Sequence, residues 1–161
     1  DRALLSLKSQ DFPIYYLSPR GFKLDAQISN SISKLDGMTL VCGKYEGVDE
    51  RVIKHYNMIE ISIGDYILSG GDLAAMVLID SVVRCLPNVL GNPLTLNDET
   101  FTNHLLEYPL YTQPREWKTY KVPDVLLSGD HKKIKNWKIK QSEDITMKRR
   151  PDLWKKYLKL K

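Results

Sequence analysis

The stretch Glu60-Ile61-Ser62-Ile63-Gly64-Asp65-Tyr66-Ile67-Leu68-Ser69-Gly70-Gly71-Asp72 constrains the fold of this chain more than any other. A short apolar run empties into a loop punctuated by glycine and then into the apolar segment Leu73 to Val83. β-Branched Ile61 and Ile63 suit a pleated strand. Gly64, Gly70 and Gly71 permit backbone conformations that other residues resist, and Asp72 carries the side chain of a helix cap. A strand, a bare-backbone loop and a helix N-terminus in that order mark a candidate ligand site.

The same alternation runs through the first ninety or so residues. Pro13 to Leu17 reads as a buried strand, and Ser18-Pro19-Arg20-Gly21 has turn chemistry. Asp25 to Leu35, with Ile28, Ile32 and Leu35 at helical spacing, predicts a helix. Met38 to Cys42 is the next strand. Asp49 to Tyr56 is a short helix with two acids in its first turn, which suits the helix dipole. Met58 to Ile63 is a third strand, and Asp72 to Leu86 a long apolar helix stopped by Pro87. Strands alternating with helices predict an α/β fold with a mostly parallel sheet covered on both faces.

After Gly91 the periodicity fails. Residues 92–106 read as a flexible linker, and Glu107 to Pro123 is rich in proline and aromatics without a clear period. Order is expected to return at Asp130, which can cap a helix bearing Ile134, Trp137 and Ile145. Pro151-Asp152 then opens a last short helix. The expected organisation is a ligand-binding domain over 1–91, the linker over 92–106, and a small helical domain over 107–161.

Length and charge narrow the function classes. With 161 residues, 42% of them hydrophobic and 27% charged, the chain can build one moderate or two small cores. The longest apolar segment is interrupted by Asp80 and is too short to cross a bilayer. No basic and apolar signal pattern opens the chain, so no membrane partner is expected and the cytoplasm is the expected location. Cys42 and Cys85 are the only cysteines, and His55, His104 and His131 are scattered, so neither a disulfide framework nor a zinc site is indicated. Both cysteines read as small core residues. Residues 1–106 carry a net charge of −4 and residues 107–161 a net of +8, for +4 overall. The basic third interleaves its lysines and arginines with Trp137 and Trp154. That pattern suits a polyanion, whose phosphates release counterions on contact and whose bases stack on rings. It suits equally a solvated helix face over a small aromatic core.

Three strand ends deliver loops of similar composition. They are Tyr16-Leu17-Ser18-Pro19, Cys42-Gly43-Lys44-Tyr45-Glu46-Gly47, and Ser62 through Gly71. In an open parallel sheet ligands bind outside the carboxyl ends of the strands, so the three loops are expected to meet. They offer backbone donors and acceptors and apolar side chains, with no phosphate-loop lysine and no G-x-G-x-x-G. A planar heterocycle held by backbone amides fits them better than a triphosphate or dinucleotide.

Cys42-Gly43-Lys44-Tyr45-Glu46-Gly47-Val48-Asp49-Glu50-Arg51-Val52, the Glu60 to Asp80 block, Glu107-Tyr108-Pro109, Val122-Pro123, Leu126-Leu127-Ser128-Gly129 and Arg149-Arg150-Pro151-Asp152-Leu153 together resemble the bacterial tRNA (guanine-N1)-methyltransferases. The similarity runs in one consistent order from about Tyr15 to Leu153. It implies a SPOUT-class fold, in which a deep trefoil knot forms the S-adenosylmethionine site, and a homodimer whose active sites lie at the subunit interface. The implied reaction is methyl transfer to N1 of guanosine 37 of tRNA, immediately 3′ of the anticodon, which supports reading-frame maintenance. Magnesium is an allowed addition that no residue pattern in the chain marks.

The resemblance also implies roles. The cofactor pocket would use Tyr16, Leu17, Ser18 and Pro19; Gly43, Tyr45 and Glu46; and Ser62, Ile63, Gly64, Asp65, Tyr66, Ile67 and Leu68 with Gly70 and Gly71. N1 of neutral guanine must lose a proton as it attacks the methyl, which calls for a general base. Glu99, ahead of Thr100-Phe101, matches the family's acidic residue, with Asp98 as its competitor. Arg84 matches the family's arginine and would stabilise charge building on O6; as an isolated residue it reads as a cation at a helix C-terminus. Two departures stand out. Relatives of this kind are expected to begin with a further strand and glycine-rich loop ahead of the position of Asp1, and Gln113 stands where arginine is expected. The alternatives are a non-catalytic tRNA-binding module and a methyltransferase of the same fold acting on another RNA.

Overall fold

The structure, a computed structural model, describes residues 1–7, 12–44, 46–89 and 101–161. They fall into two compact units, Asp1–Gly91 and Asn92–Lys161. Tyr45, Asp98 and Glu99 lie outside the described residues.

The first unit carries α1 (Arg2–Leu5), β1 (Ile14–Lys23), α2 (Ala26–Ile32), β2 (Thr39–Cys42), α3 (Glu50–His55), β3 (Ile59–Ser62) and α4 (Asp72–Val83). The strands form a parallel sheet in the order β2-β1-β3. Period-two alternation along β1 sends Tyr15 and Leu17 to one face and Ile14 and Tyr16 to the other, and both faces are covered. On one side Tyr15, Leu17 and Ile61 pack with Ile32 of α2 and with Ala74, Ala75, Leu78 and Val82 of α4. On the other Tyr16 packs with Ile53 of α3 and Met58.

Capping chemistry explains the helix starts. Asp25 accepts from the Ile28 amide at 2.9 Å and Asp49 from the Arg51 amide at 2.8 Å, each satisfying a first-turn donor that has no partner within the helix. Asp72, expected as a cap, is instead the first residue of α4: Gly71 holds the cap position, and Asp72 contributes its charge to the first turn. α4 is apolar nearly all round. Ala74, Ala75, Leu78 and Val82 face the sheet, while Leu73, Met76, Val77 and Val83 are exposed.

The expected turn at residues 18–21 is an excursion inside a longer strand. Leu17 and Phe22 both register against Ile61 of β3, so residues 18–21 leave the ladder and β1 resumes beyond them. Gly21 makes the return possible, since a Cβ there would stand 2.3 Å from the Glu60 carbonyl carbon. Only a residue without a side chain lets the two main chains approach so closely.

The second unit contains a turn of 3-10 helix at Thr102–His104, the hairpin β4 (Glu116–Trp117) and β5 (Tyr120–Lys121), then α5 (Asp124–Leu127), α6 (His131–Arg149) and α7 (Pro151–Leu158). Asp130 caps α6 by accepting from the Lys132 and Lys133 amides, both at 3.1 Å. Pro151 opens α7, where its missing N–H costs nothing. The Tyr157 hydroxyl donates to Glu143 at 2.7 Å and ties α7 to α6. Thr146, fully buried, accepts from the Leu106 amide at 2.8 Å and donates to the Ser142 carbonyl at 2.6 Å, which fastens the chain before the hairpin to the inner side of α6. The antiparallel hairpin is an addition to the helical domain expected from sequence.

Candidate functional site

The excursion inside β1 and the carboxyl ends of β2 and β3 open into one cavity of about 460 Å³, within the ~300–1,000 Å³ usual for small-molecule sites. Leu17, Ile61, Ile63 and Ala74 give it apolar surface, and Tyr66, Ile67 and Leu68 belong to its third loop. Ile67 is 81% exposed, which puts an apolar side chain in water at the edge of the site.

Main-chain contacts hold the three loops together. The Gly71 amide donates to the Gly43 carbonyl at 2.8 Å, and Lys44 and Gly70 form an antiparallel bridge. A Cβ on Gly71 would sit 2.9 Å from the Cys42 Cα, so the third loop lies directly on the end of β2. The Ser62 hydroxyl donates to the Gly64 carbonyl at 3.0 Å and accepts from the Gly64 amide at 3.2 Å, which fixes the bend where β3 becomes loop. Tyr16 works from below: its ring is buried, and its hydroxyl accepts from the Val48 amide at 3.2 Å. The ring also lies where side chains on Gly43 and Gly47 would have to go, so these glycines let the second loop settle onto it.

Of the residues singled out from sequence, Tyr16, Leu17, Ser18, Pro19, Gly43, Glu46, Ser62, Ile63, Gly64, Tyr66, Ile67, Leu68, Gly70 and Gly71 all line the cavity. Asp65 does not; its carboxylate is turned to solvent and paired with Lys23 at 3.4 Å. Tyr45 and Glu99 lie outside the described residues, as does Asp98. Arg84 caps the C-terminal end of α4, away from the lining. Twelve helical residues separate it from the Gly70-Gly71 turn, roughly 18 Å at 1.5 Å per residue.

Lys44, Gly47 and Ser69, members of the second and third loops named from sequence, also line the cavity, and Arg20, Val48, Glu50 and Ala74 join them from outside the three loops. Arg20 is the most informative. Its guanidinium donates to Glu50 at 3.1 Å and to Glu60 at 3.2 Å, joining the β1 excursion to α3 and β3. Those carboxylates raise the arginine's affinity for its proton, the hydrogen bond to Glu50 first. Glu46 is the acid of the second loop, whereas Glu50, at the start of α3, is already paired with Arg20 and with Lys54 at 3.8 Å.

Cys42, expected in the core, is exposed. Its thiol is nonetheless pushed up, by desolvation first and by the Asp72 carboxylate second, and a thiol held protonated is a poor nucleophile. No group of His, Cys, Asp or Glu among the described residues could hold a metal ion. No helix among them is long and apolar enough to cross a membrane. The arrangement therefore has the chemistry of a main-chain cradle: directional amides and carbonyls, an apolar floor, and Glu46 as the acid of the second loop.

Comparison with known proteins gives this cradle its context. Residues 1–156 match the family described as tRNA (Guanine-1)-methyltransferase TrmD. Among curated proteins the chain is similar to the tRNA (guanine-N(1)-)-methyltransferase of Pelagibacter ubique, 57% identical over 94% of this chain and 67% of that protein. It is similar also to those of Ruegeria pomeroyi, 50% identical over 92% of this chain and 61% of the relative, and Rhodospirillum rubrum, 51% identical over 98% and 66%. The chain thus spans about three fifths to two thirds of the length of these relatives. With the match covering nearly every residue, the chain belongs to the tRNA (guanine-1)-methyltransferase family.

Proposed function

We propose that this protein transfers a methyl group from S-adenosylmethionine to N1 of guanosine 37 in tRNA, in the cytoplasm, as a homodimer with a SPOUT-type knotted cofactor site. The observation that carries the reading is the meeting of the β1 excursion with the loops that follow β2 and β3 on one glycine-lined cavity, in a chain of this family. The cavity suits the donor part by part. Amides and carbonyls of the 62–71 loop and of Gly43 can read a planar base, Leu17 and Ile61 can take its apolar faces, and Glu46 offers a counter-charge to a cationic centre. When bound, the cofactor supplies a methyl group on a positively charged sulfur.

The chain must supply a base, a cation and a binding surface for RNA. Glu99 is the residue we assign to take the N1 proton; a free glutamate carboxyl, with a pKa of ~4.3, is a weak base that burial against substrate would strengthen. Arg84 is assigned to the charge that builds on O6. At roughly 15 Å along α4 from Ala74, the last of its residues to line the cavity of its own subunit, Arg84 serves that role from a second copy. The outward face of α4, with Leu73, Met76, Val77 and Val83 exposed, supports such a partner, because a helix apolar on all sides is normally covered on all sides. The basic α6 and α7 are assigned to tRNA phosphates.

Calorimetry with S-adenosylhomocysteine, combined with methyl transfer to tRNA transcripts, tests the proposal. Binding of one product molecule per chain, and turnover that depends on guanosine against adenosine at position 36, the nucleotide before the target, are expected. Glu99→Gln should remove most turnover and leave product affinity unchanged. Absent binding would favour a non-catalytic module, and indifference to position 36 would favour another RNA. Loss of affinity together with rate in Glu99→Gln would overturn the role of that residue.

A further inference from the structure

The β4–β5 hairpin carries two large rings that belong to no core. Trp117 is 60% exposed and Tyr120 70%, and every residue from Leu110 to Lys121 is exposed, so the hairpin contributes nothing to a core. Trp117 and Tyr120 are directly paired across the two strands and therefore share a face. Their rings are stacked, with centroids 6.2 Å apart and planes 23° from parallel, and the pair is open to solvent.

The surroundings of that pair are cationic. Lys118 holds its ammonium 4.7 Å from the centre of the Trp117 ring. It does so from a backbone with φ +56, a conformation that favours glycine and that a lysine adopts at a cost. Arg115 and Lys121 flank the same short hairpin, and Glu116 is its one acid, paired with Lys121 at 3.6 Å. An apolar peptide would have no use for these cations. A ligand with flat π faces strung on a polyanion would use both. The rings lie on an open surface, which admits a base splayed out of a single strand and not one buried in a duplex.

We propose that the 115–121 hairpin is an RNA contact in its own right, in which an unpaired nucleotide stacks on Trp117 and Tyr120 while Lys118 and Arg115 meet its phosphates. This rests on the reading that the protein acts on RNA, and it adds to α6 and α7 a site that recognises single-stranded character by stacking. Base stacking on an aromatic ring is worth on the order of a tenfold change in affinity.

The test measures binding of the 161-residue chain to a stem–loop RNA and to the blunt duplex of its stem, over a range of salt. The wild-type chain should prefer the stem–loop. Trp117→Leu with Tyr120→Leu should lose roughly tenfold on the stem–loop and nothing on the duplex, with an unchanged salt slope, since no phosphate contact is removed. Trp117→Phe with Tyr120→Phe should keep the preference, which separates loss of stacking from loss of the hairpin. Equal affinity of the leucine variant and wild type for the stem–loop would overturn the inference and leave the RNA reading intact. A changed oligomeric state in the leucine variant, with RNA affinity retained, would overturn it in favour of self-association. Failure of the wild-type chain to bind either RNA would sink the proposed function itself, and this contact with it.

Discussion

Gly71→Ala tests the claim that bare main chain builds the cavity. The added methyl carbon would lie 2.9 Å from the Cys42 Cα and 3.1 Å from the Gly43 nitrogen, where ordinary contact begins at 3.4 Å. Both neighbours are backbone, so neither can rotate away, and the 69–71 turn must retreat by about 0.5 Å. That retreat stretches the Gly71-to-Gly43 hydrogen bond from 2.8 Å towards ~3.3 Å, past the useful range for an amide donor. Loss of one such bond costs about 1 kcal/mol, and the overpacking about 1–3 kcal/mol, so the variant should be destabilised by roughly 2–4 kcal/mol. The same movement parts two walls of the cavity, and affinity for S-adenosylhomocysteine should fall by about tenfold or more. Urea denaturation and calorimetry read the two effects. Gly129→Ala is the control: its φ of +69 makes alanine strained, but nothing lies within 4 Å of the new methyl, so stability should fall by about 1 kcal/mol with ligand affinity unchanged. Wild-type stability and affinity in Gly71→Ala would show that the close approach of the two loops is not what shapes the site.

Tyr16→Phe keeps the buried ring but removes the acceptor of the Val48 amide; it should cost about 0.5–1.5 kcal/mol and weaken S-adenosylhomocysteine binding several-fold. Unchanged affinity by calorimetry would mean that the second loop holds its shape without the hydroxyl. Acid should loosen the protein in a defined window. Arg51 beside Asp49 and Arg150 beside Asp152 hold those carboxyls at about 2, and hydrogen bonds to Glu143 from Tyr157 and Lys161 and to Asp130 from the Lys133 amide lower those two as well. Each folded value lies below its unfolded one, so the stabilisation is complete above about pH 4 and drains away as pH falls towards about 2. Thermal melts across that range should fall steadily, and a flat profile would contradict the assignment.

Most of the first unit is legible in the sequence because its signals are local. The apolar run Ile14 to Leu17, the helical spacing of Ile28 and Ile32, and the acids Asp25 and Asp49 at the helix starts each act within a few residues. What stays hidden depends on partners far along the chain. Arg20 sits at the cavity because Glu50 and Glu60, thirty and forty residues later, draw its guanidinium across β1. Ser18-Pro19-Arg20-Gly21 has the same composition whether it reverses the chain or bulges from a strand, and only the close approach of Gly21 to Glu60 separates the two. The hairpin gives no sequence signal because Lys118-Thr119 carries none of the Asn-Gly or Asp-Gly chemistry that announces such a turn. Cys42 reads as a core residue from its type alone, and its place at the end of β2, beside the third loop, leaves it exposed instead.

The double registration of Ile61, against Leu17 before the excursion and Phe22 after it, separates two properties that are usually bound together. Between those two anchor points the chain can lengthen, shorten or change composition while the sheet on either side keeps its pairing and its inward and outward faces. Gly21 alone must stay, as the residue that lets the ladder close again. Selectivity for what enters the cavity can thus be rewritten by drift in a few rim positions, at little hazard to the scaffold that carries them.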